Sequence, residues 1–269
     1  MSKIIDKKAI ILALETSGRT GSAALAAGDM LICEKQFSTP VKHSSEVFPA
    51  IQELLRDASL KPQDLEQICI SAGPGSFTGL RIAVTIAKIM QLANERIKIV
   101  AVDTLDCVAS NIMEAQMVRR CSPQQGHRGT KEQRNKGTGE INRVASVLDA
   151  KRGQFFIAVY KRKQDCKNVS EFYDCWEKTI DDCLMTAGEF TERYANPDEP
   201  VWLLGEGLVY YKKDFEAKWI EYADEQFWTP KASKVFALGR SLAKDGHFAD
   251  AIKLVPKYIL RPDIKIKSR

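Results

Sequence analysis

The sequence predicts an α/β protein assembled from two similar lobes, and three observations carry that prediction. Strand-like and helix-like segments alternate through the first hundred residues. A second start appears at residues 144–162, VASVLDAKRGQFFIAVYKR, which repeats the design of IILALETSGRTGSAALAAG near the N-terminus: an apolar strand ending in an acid, a small turn, then another strand. Between the two, residues 116–143 are polar, basic and without hydrophobic period, so they read as a disordered insertion. The expected organisation is an N-terminal lobe over 1–115, the insertion over 116–143 and a C-terminal lobe over 144–269.

Each element has its own justification. KAIILALE, SAALAAG and LICEKQF are three β-rich runs separated by the turn material SGRTG and GD. HSSEVFPAIQELLRDASL carries Val47, Ile51, Leu54, Leu55 and Ala58 at helical spacing, and its Pro49 is tolerable only near the first turn. QICIS is a strand, LRIAVTIAKIMQLA a helix and IKIVAVDT a strand. In the second half GEFTERYA is a short helix, VWLLGEG a strand with a glycine turn, and KVFALGRSLAKDG a helix closed by Gly246, followed by a basic tail.

The loop between QICIS and the following helix, AGPGSFTG, is the densest glycine signal in the chain. A helix N-terminus there could offer N–H groups to an anion. The spacing fits no phosphate motif, however: neither Gly73 nor Gly75 is followed by glycine at Walker spacing, and a dinucleotide fingerprint would need glycine where Thr78 stands. The structural expectation is a tight turn in which Gly73 and Gly75 supply unusual φ, Thr78 caps the helix and Gly79 completes the loop.

Whole-chain properties narrow the class. A chain of 269 residues with 28% charged residues and a mean hydropathy of −0.26 describes a soluble globular protein. No apolar run reaches the roughly 20 residues of a membrane span. The N-terminal MSKIIDKKAIILAL meets Glu15 and lacks a small-residue cleavage site, so it reads as a strand, and a cytoplasmic location is expected. Seven cysteines without a C-x-x-C pair suit reduced structural thiols better than a disulfide framework or zinc site.

In order, LALETS, KHSSEVFPAI, AGPGSFTGLRIAV, LDAKRGQFF and PKYILRPD resemble the TsaB/YeaZ family, accessory subunits of the bacterial machinery that makes threonylcarbamoyladenosine in transfer RNA. The resemblance spans nearly the whole chain outside 116–143. It implies a duplicated actin-like fold of the ASKHA type, no cofactor, partnership with the catalytic subunit TsaD, contact with the ATPase TsaE through the TsaD complex, and self-association when TsaD is absent. In ATP-using members of that superfamily, acid-ended hairpins face each other across a phosphate cleft, so Glu15 and Asp149 are candidate vestiges of a nucleotide site, with GEG at 205–207 as an adenosine-side turn. The catalytic paralogue holds metal on two histidines four apart; here His43 takes the first place and Val47 the second, which excludes that site. Neither H-E-x-x-H nor G-x-S-x-G occurs, so peptidase chemistry has no support and no catalytic residue is assigned.

The helix from Leu80 is apolar nearly all round. Leu80, Ala83, Val84, Ala87 and Met90 form one face, Ile82, Ile86, Ile89 and Ala93 a second, and Arg81, Thr85 and Lys88 a narrow polar stripe. Such a helix needs cover on two sides, either from the 45–59 helix or from another chain. The resemblance favours a TsaD interface made by Val47, Ile51, Leu54, Leu80, Ala83, Val84, Ala87 and Met90. The expected function is therefore a non-catalytic scaffold, with an ATP-dependent small-molecule kinase as the alternative. The insertion carries seven basic and two acidic residues, a net +5 that equals the whole chain's excess, and it is either a spacer or a sequence-independent tether for transfer RNA.

Overall fold

The computed structural model describes residues 8–37, 43–121, 141–166 and 171–260; the side chains of 43–44 and 117–121 lie outside that description. Three strands open the chain: β1 (Ile10–Glu15), β2 (Gly21–Ala27) and β3 (Met30–Phe37). They continue into helix α1 (His43–Asp57), β4 (Leu65–Gly73), α2 (Phe77–Ala93), β5 (Lys98–Asp103), α3 (Thr104–Ser110) and α4 (Ile112–Cys121). The second half supplies β6 (Arg143–Lys151), β7 (Gln154–Arg162), α5 (Phe172–Cys175), β8 (Trp176–Thr186) and α6 (Ala187–Tyr194). It ends with β9 (Val201–Leu204), α7 (Leu208–Tyr211), β10 (Ile220–Tyr222) and α8 (Ala232–Lys244).

The duplication is explicit in the sheets. The first sheet has the order β3-β2-β1-β4-β5 and the second β8-β7-β6-β9-β10. In both, the first three strands form an antiparallel meander and the last two run parallel to the first. This is a duplicated two-lobe architecture. Strands buried on both faces read as continuous apolar runs, which is why β1 and β2 are so uniformly hydrophobic. Leu12 and Leu14 of β1 point to α1 and α2, whereas Ile11 and Ala13 point to the interior between the lobes.

The lobes exchange helices. α8, late in the chain, lies across β1, β2, β4 and β5 of the first sheet, while α3, from the first half, packs on β6 and β7 of the second. Small residues permit the close crossing: Ala24 and Ala26 line β2, and a Cβ on Gly239 of α8 would sit 2.6 Å from the Cys69 sulfur. The α8 N-terminus is capped from the other lobe, with Ala232 N–H donating to Ser22 Oγ (2.8 Å) and Ser233 N–H to Glu34 (3.0 Å).

Several expectations need correction. Cys166 and Cys175 are joined in a disulfide, because the β7–β8 register brings Arg162 opposite Trp176 and closes the connection between them; Cys33, Cys69, Cys107 and Cys183 are free. Helix α4 runs to Cys121 and Arg143 opens β6; residues 122–140 of the expected insertion lie outside the described set. Pro49 sits in the second turn of α1, on its exposed side, rather than in the first. Among the described residues no helix is long and apolar enough to cross a membrane.

Candidate functional site

The glycine loop holds two parts of its own chain. One is the β1–β2 turn: a Cβ on Gly79 would lie 1.7 Å from the Thr16 carbonyl oxygen, and one on Gly75 would lie 2.8 Å from that of Ser17. The Thr16 hydroxyl donates to the Gly79 carbonyl (2.7 Å), and Ser76 N–H donates to the Ser17 carbonyl (2.9 Å). The other is the C-terminal segment. Lys257 N–H donates to the Ala72 carbonyl (2.7 Å), the Lys257 carbonyl would meet a Cβ on Gly73 at 2.6 Å, and the Tyr258 ring lies against Phe77 with its hydroxyl accepting from Arg81. Gly73, at φ +120°, has the backbone an L side chain resists. The cap is Ser76, whose Oγ accepts from Gly79 N–H at 3.3 Å; Thr78 is an exposed residue inside α2, because the helix begins two residues earlier than a Thr78 cap would place it.

Glu15 and Asp149 are each hydrogen-bonded within their own hairpin. Glu15 is fully buried and accepts from Ser17 N–H (2.6 Å), Ser17 Oγ (2.5 Å) and Gly18 N–H (3.2 Å). Burial pushes its carboxyl up from the ordinary range, against the pull of those hydrogen bonds. Asp149 is spent on its own turn, accepting from Lys151 N–H (2.7 Å) and pairing with the Lys151 ammonium (2.6 Å). The group that crosses the cleft is Glu206, in the middle of GEG. Gly205, at φ +127°, and Gly207 press against Val147 of β6, and this seating aims Glu206 at the opposite lobe, where it accepts from Arg19 N–H at 2.7 Å. Burial, with Glu15's charge adding to it, pushes the Glu206 carboxyl up to about 7.

A second buried cluster joins the lobes. Asp106 accepts from Tyr160 (2.7 Å) and Tyr173 (2.9 Å), Lys178 pairs with Asp106 (2.7 Å) and Asp182 (2.8 Å), and Lys257 bridges Asp103 (2.7 Å) and Asp182 (2.6 Å). Burial and the neighbouring Asp182 push Asp103 up to about 7. The cluster fastens the tail to the end of β5 and to β8. Its members are scattered over more than 150 residues, so no local motif marks them. Among the described residues no group of three or more His, Cys, Asp or Glu is arranged to hold a metal, and Val47 is sealed in the core.

The helix residues expected at a partner interface belong to the chain's own core. Val47, Ile51, Leu54, Leu80, Ala83, Val84 and Ala87 are buried, and Met90 is half-buried. The sheet takes that face of α1 and α2 because it is the wider apolar one, and Ile86 goes with it. What points outward is a different stripe: Phe48 (48% exposed), Gln52 and Arg56 on α1, with Arg81, Thr85, Ile89 (53%) and Leu92 (85%) on α2. Three large apolar side chains exposed on two adjacent helices form a candidate docking face.

Residues 38–122, which contain both helices, match the family model of TsaD, tRNA N6-adenosine threonylcarbamoyltransferase. The tRNA threonylcarbamoyladenosine biosynthesis protein TsaB of Bacillus subtilis is 28% identical over 262 residues, 96% of each chain. Across nearly its whole length the chain is similar to a TsaB protein. The Escherichia coli TsaB protein is 26% identical over 155 residues, covering 58% of this chain and 56% of its own. In structure, YeaZ from Pseudomonas aeruginosa superposes with a TM-score of 0.68 at 21% identity, covering 93% of this chain and 99% of its own, which shows the shared fold.

Proposed function

We propose that this chain is a non-catalytic accessory subunit in the biosynthesis of threonylcarbamoyladenosine in transfer RNA, and that it docks a TsaD-type transferase through the outward stripe of α1 and α2. The observation that carries the reading is the placement of Phe48, Ile89 and Leu92 on the segment that also matches the transferase's own model. Two chains that share this helix pair can meet face to face in a pseudo-twofold arrangement, and two copies of this chain can do the same when the transferase is absent. The ATPase TsaE and the transfer RNA would then be reached through the assembled complex. The kinase alternative is disfavoured by the β1–β2 turn, whose Ser17, Gly18 and Arg19 N–H groups are already taken by Glu15 and Glu206.

The test is co-elution of the chain with the TsaD-type transferase of the same cell. Leu92→Glu and Ile89→Glu place a carboxylate on an exposed position, so the monomer keeps its melting temperature, while burial of an unpaired charge at the interface costs several kcal/mol and abolishes a micromolar complex. Folded variants that still co-elute would exclude this face.

A further inference from the structure

The β1–β2 turn presents three successive backbone N–H groups, and each points at a carboxyl group of the same chain: Ser17 and Gly18 at Glu15, Arg19 at Glu206. Successive backbone N–H groups of a turn form an anion-binding concavity, shared here between two carboxyl groups. Glu15 closes it from its own strand, whereas Glu206 arrives from the other lobe, 187 residues away in sequence. The fit is close, because a Cβ on Gly18 would stand 3.1 and 3.3 Å from the two Glu206 oxygens and 3.0 Å from the Pro230 ring. The Thr229 side chain hydrogen-bonds the same carboxyl group. The Arg19 guanidinium, 4.4 Å over the Tyr210 ring and bonded to its hydroxyl, covers the mouth.

We propose that Glu206 is a built-in ligand: its carboxyl group fills the anion concavity of the β1–β2 turn, bolts the two lobes together there, and shuts out phosphate or any other external oxyanion. Mutual repulsion with Glu15 accompanies the elevated proton affinity of the group, and a further anion would add to that repulsion. Removing the side chain vacates the Arg19 N–H and one negative charge together, so a small oxyanion can take its place.

The test uses the isolated full chain and inorganic phosphate, and so does not depend on any partner. Glu206→Ala melts below wild type, and about 10 mM phosphate raises its Tm saturably by about 3 °C relative to the same addition to wild type, as a millimolar site requires. Wild type and Glu206→Gln, in both of which the concavity stays filled, show no saturable shift. If Glu206→Ala does not fold, Glu206→Ser, which keeps a small polar side chain, takes its place in the same titration. A variant no more responsive than wild type overturns the proposal, and so does a saturable response of wild type or of Glu206→Gln.

Discussion

Replacing Gly79 by alanine tests how the glycine loop is read. In isolation the change should stabilise, since alanine in a helix is favoured over glycine by about 1 kcal/mol. Here the new methyl group would stand 1.7 Å from the Thr16 carbonyl oxygen and 2.8 Å from its carbon, backbone atoms of a buried turn that cannot swing aside as a side chain can. Relief requires α2 and the β1–β2 turn to separate by more than 1 Å, on the order of a methyl overpacking at about 1–3 kcal/mol. That separation also breaks the 2.7 Å hydrogen bond from Thr16 Oγ1 and leaves a buried hydroxyl unpaired, for about 1–3 kcal/mol more. Set against the helix gain, the net loss is about 3 kcal/mol, or a fall in Tm of roughly 6–12 °C for a chain of this size. Thermal melts of Gly79→Ala beside Gly188→Ala make the comparison, because Gly188 also lies in a helix but has nothing within 4 Å of its Cβ position. Gly188→Ala should match or slightly exceed wild type. A Gly79→Ala melt within 1 °C of wild type would refute the claim that close backbone approach dictates this glycine.

Other consequences follow from burial and charge. Ala87→Glu should unfold or severely destabilise the isolated chain, since Ala87 is sealed in the core; a variant with the wild-type melt would return that residue to the surface. Glu206 has a folded pKa raised from 4.5 to about 7, so the folded state holds its proton more tightly and stability falls as pH rises through that window, by about 3 kcal/mol. Glu206→Gln should remove about that much of the decline between pH 5 and 8 in urea titrations, and an unchanged slope would assign the decline to other groups, Asp103 first among them.

Much of this architecture is written locally. β1 and β2 declare themselves as apolar runs, and the repeat of their design at 144–162 foretells the second sheet, because a strand buried on both faces needs no partner-specific pattern. β8 is hidden for the opposite reason: WEKTIDDCLMT has only two buried residues, and its place at a sheet edge comes from register with β7. The faces of α2 illustrate a different limit. Ile82, Ile86 and Ile89 are chemically alike, yet the sheet buries Ile86 and leaves Ile89 outside, a choice made by the crossing geometry of α2 over β4. The residues expected at a partner interface therefore lie on the buried side of helices whose existence is plain from the sequence. Glu206 lies inside the GEG turn, but only the seating of Gly205 and Gly207 on Val147 shows where its side chain goes.

In the proposed role this chain would support threonylcarbamoyl transfer without doing chemistry itself, through the exposed stripe of α1 and α2. The most direct measurement is transfer to adenosine of transfer RNA in a system reconstituted from the purified transferase, the ATPase and the carbonyl-donor substrate, with and without this chain. Negligible turnover is expected without the chain, restored turnover with wild type, and turnover near the background level with folded Leu92→Glu. Full turnover in the chain's absence, or with a Leu92→Glu, Ile89→Glu double variant that no longer binds the transferase, would contradict that role.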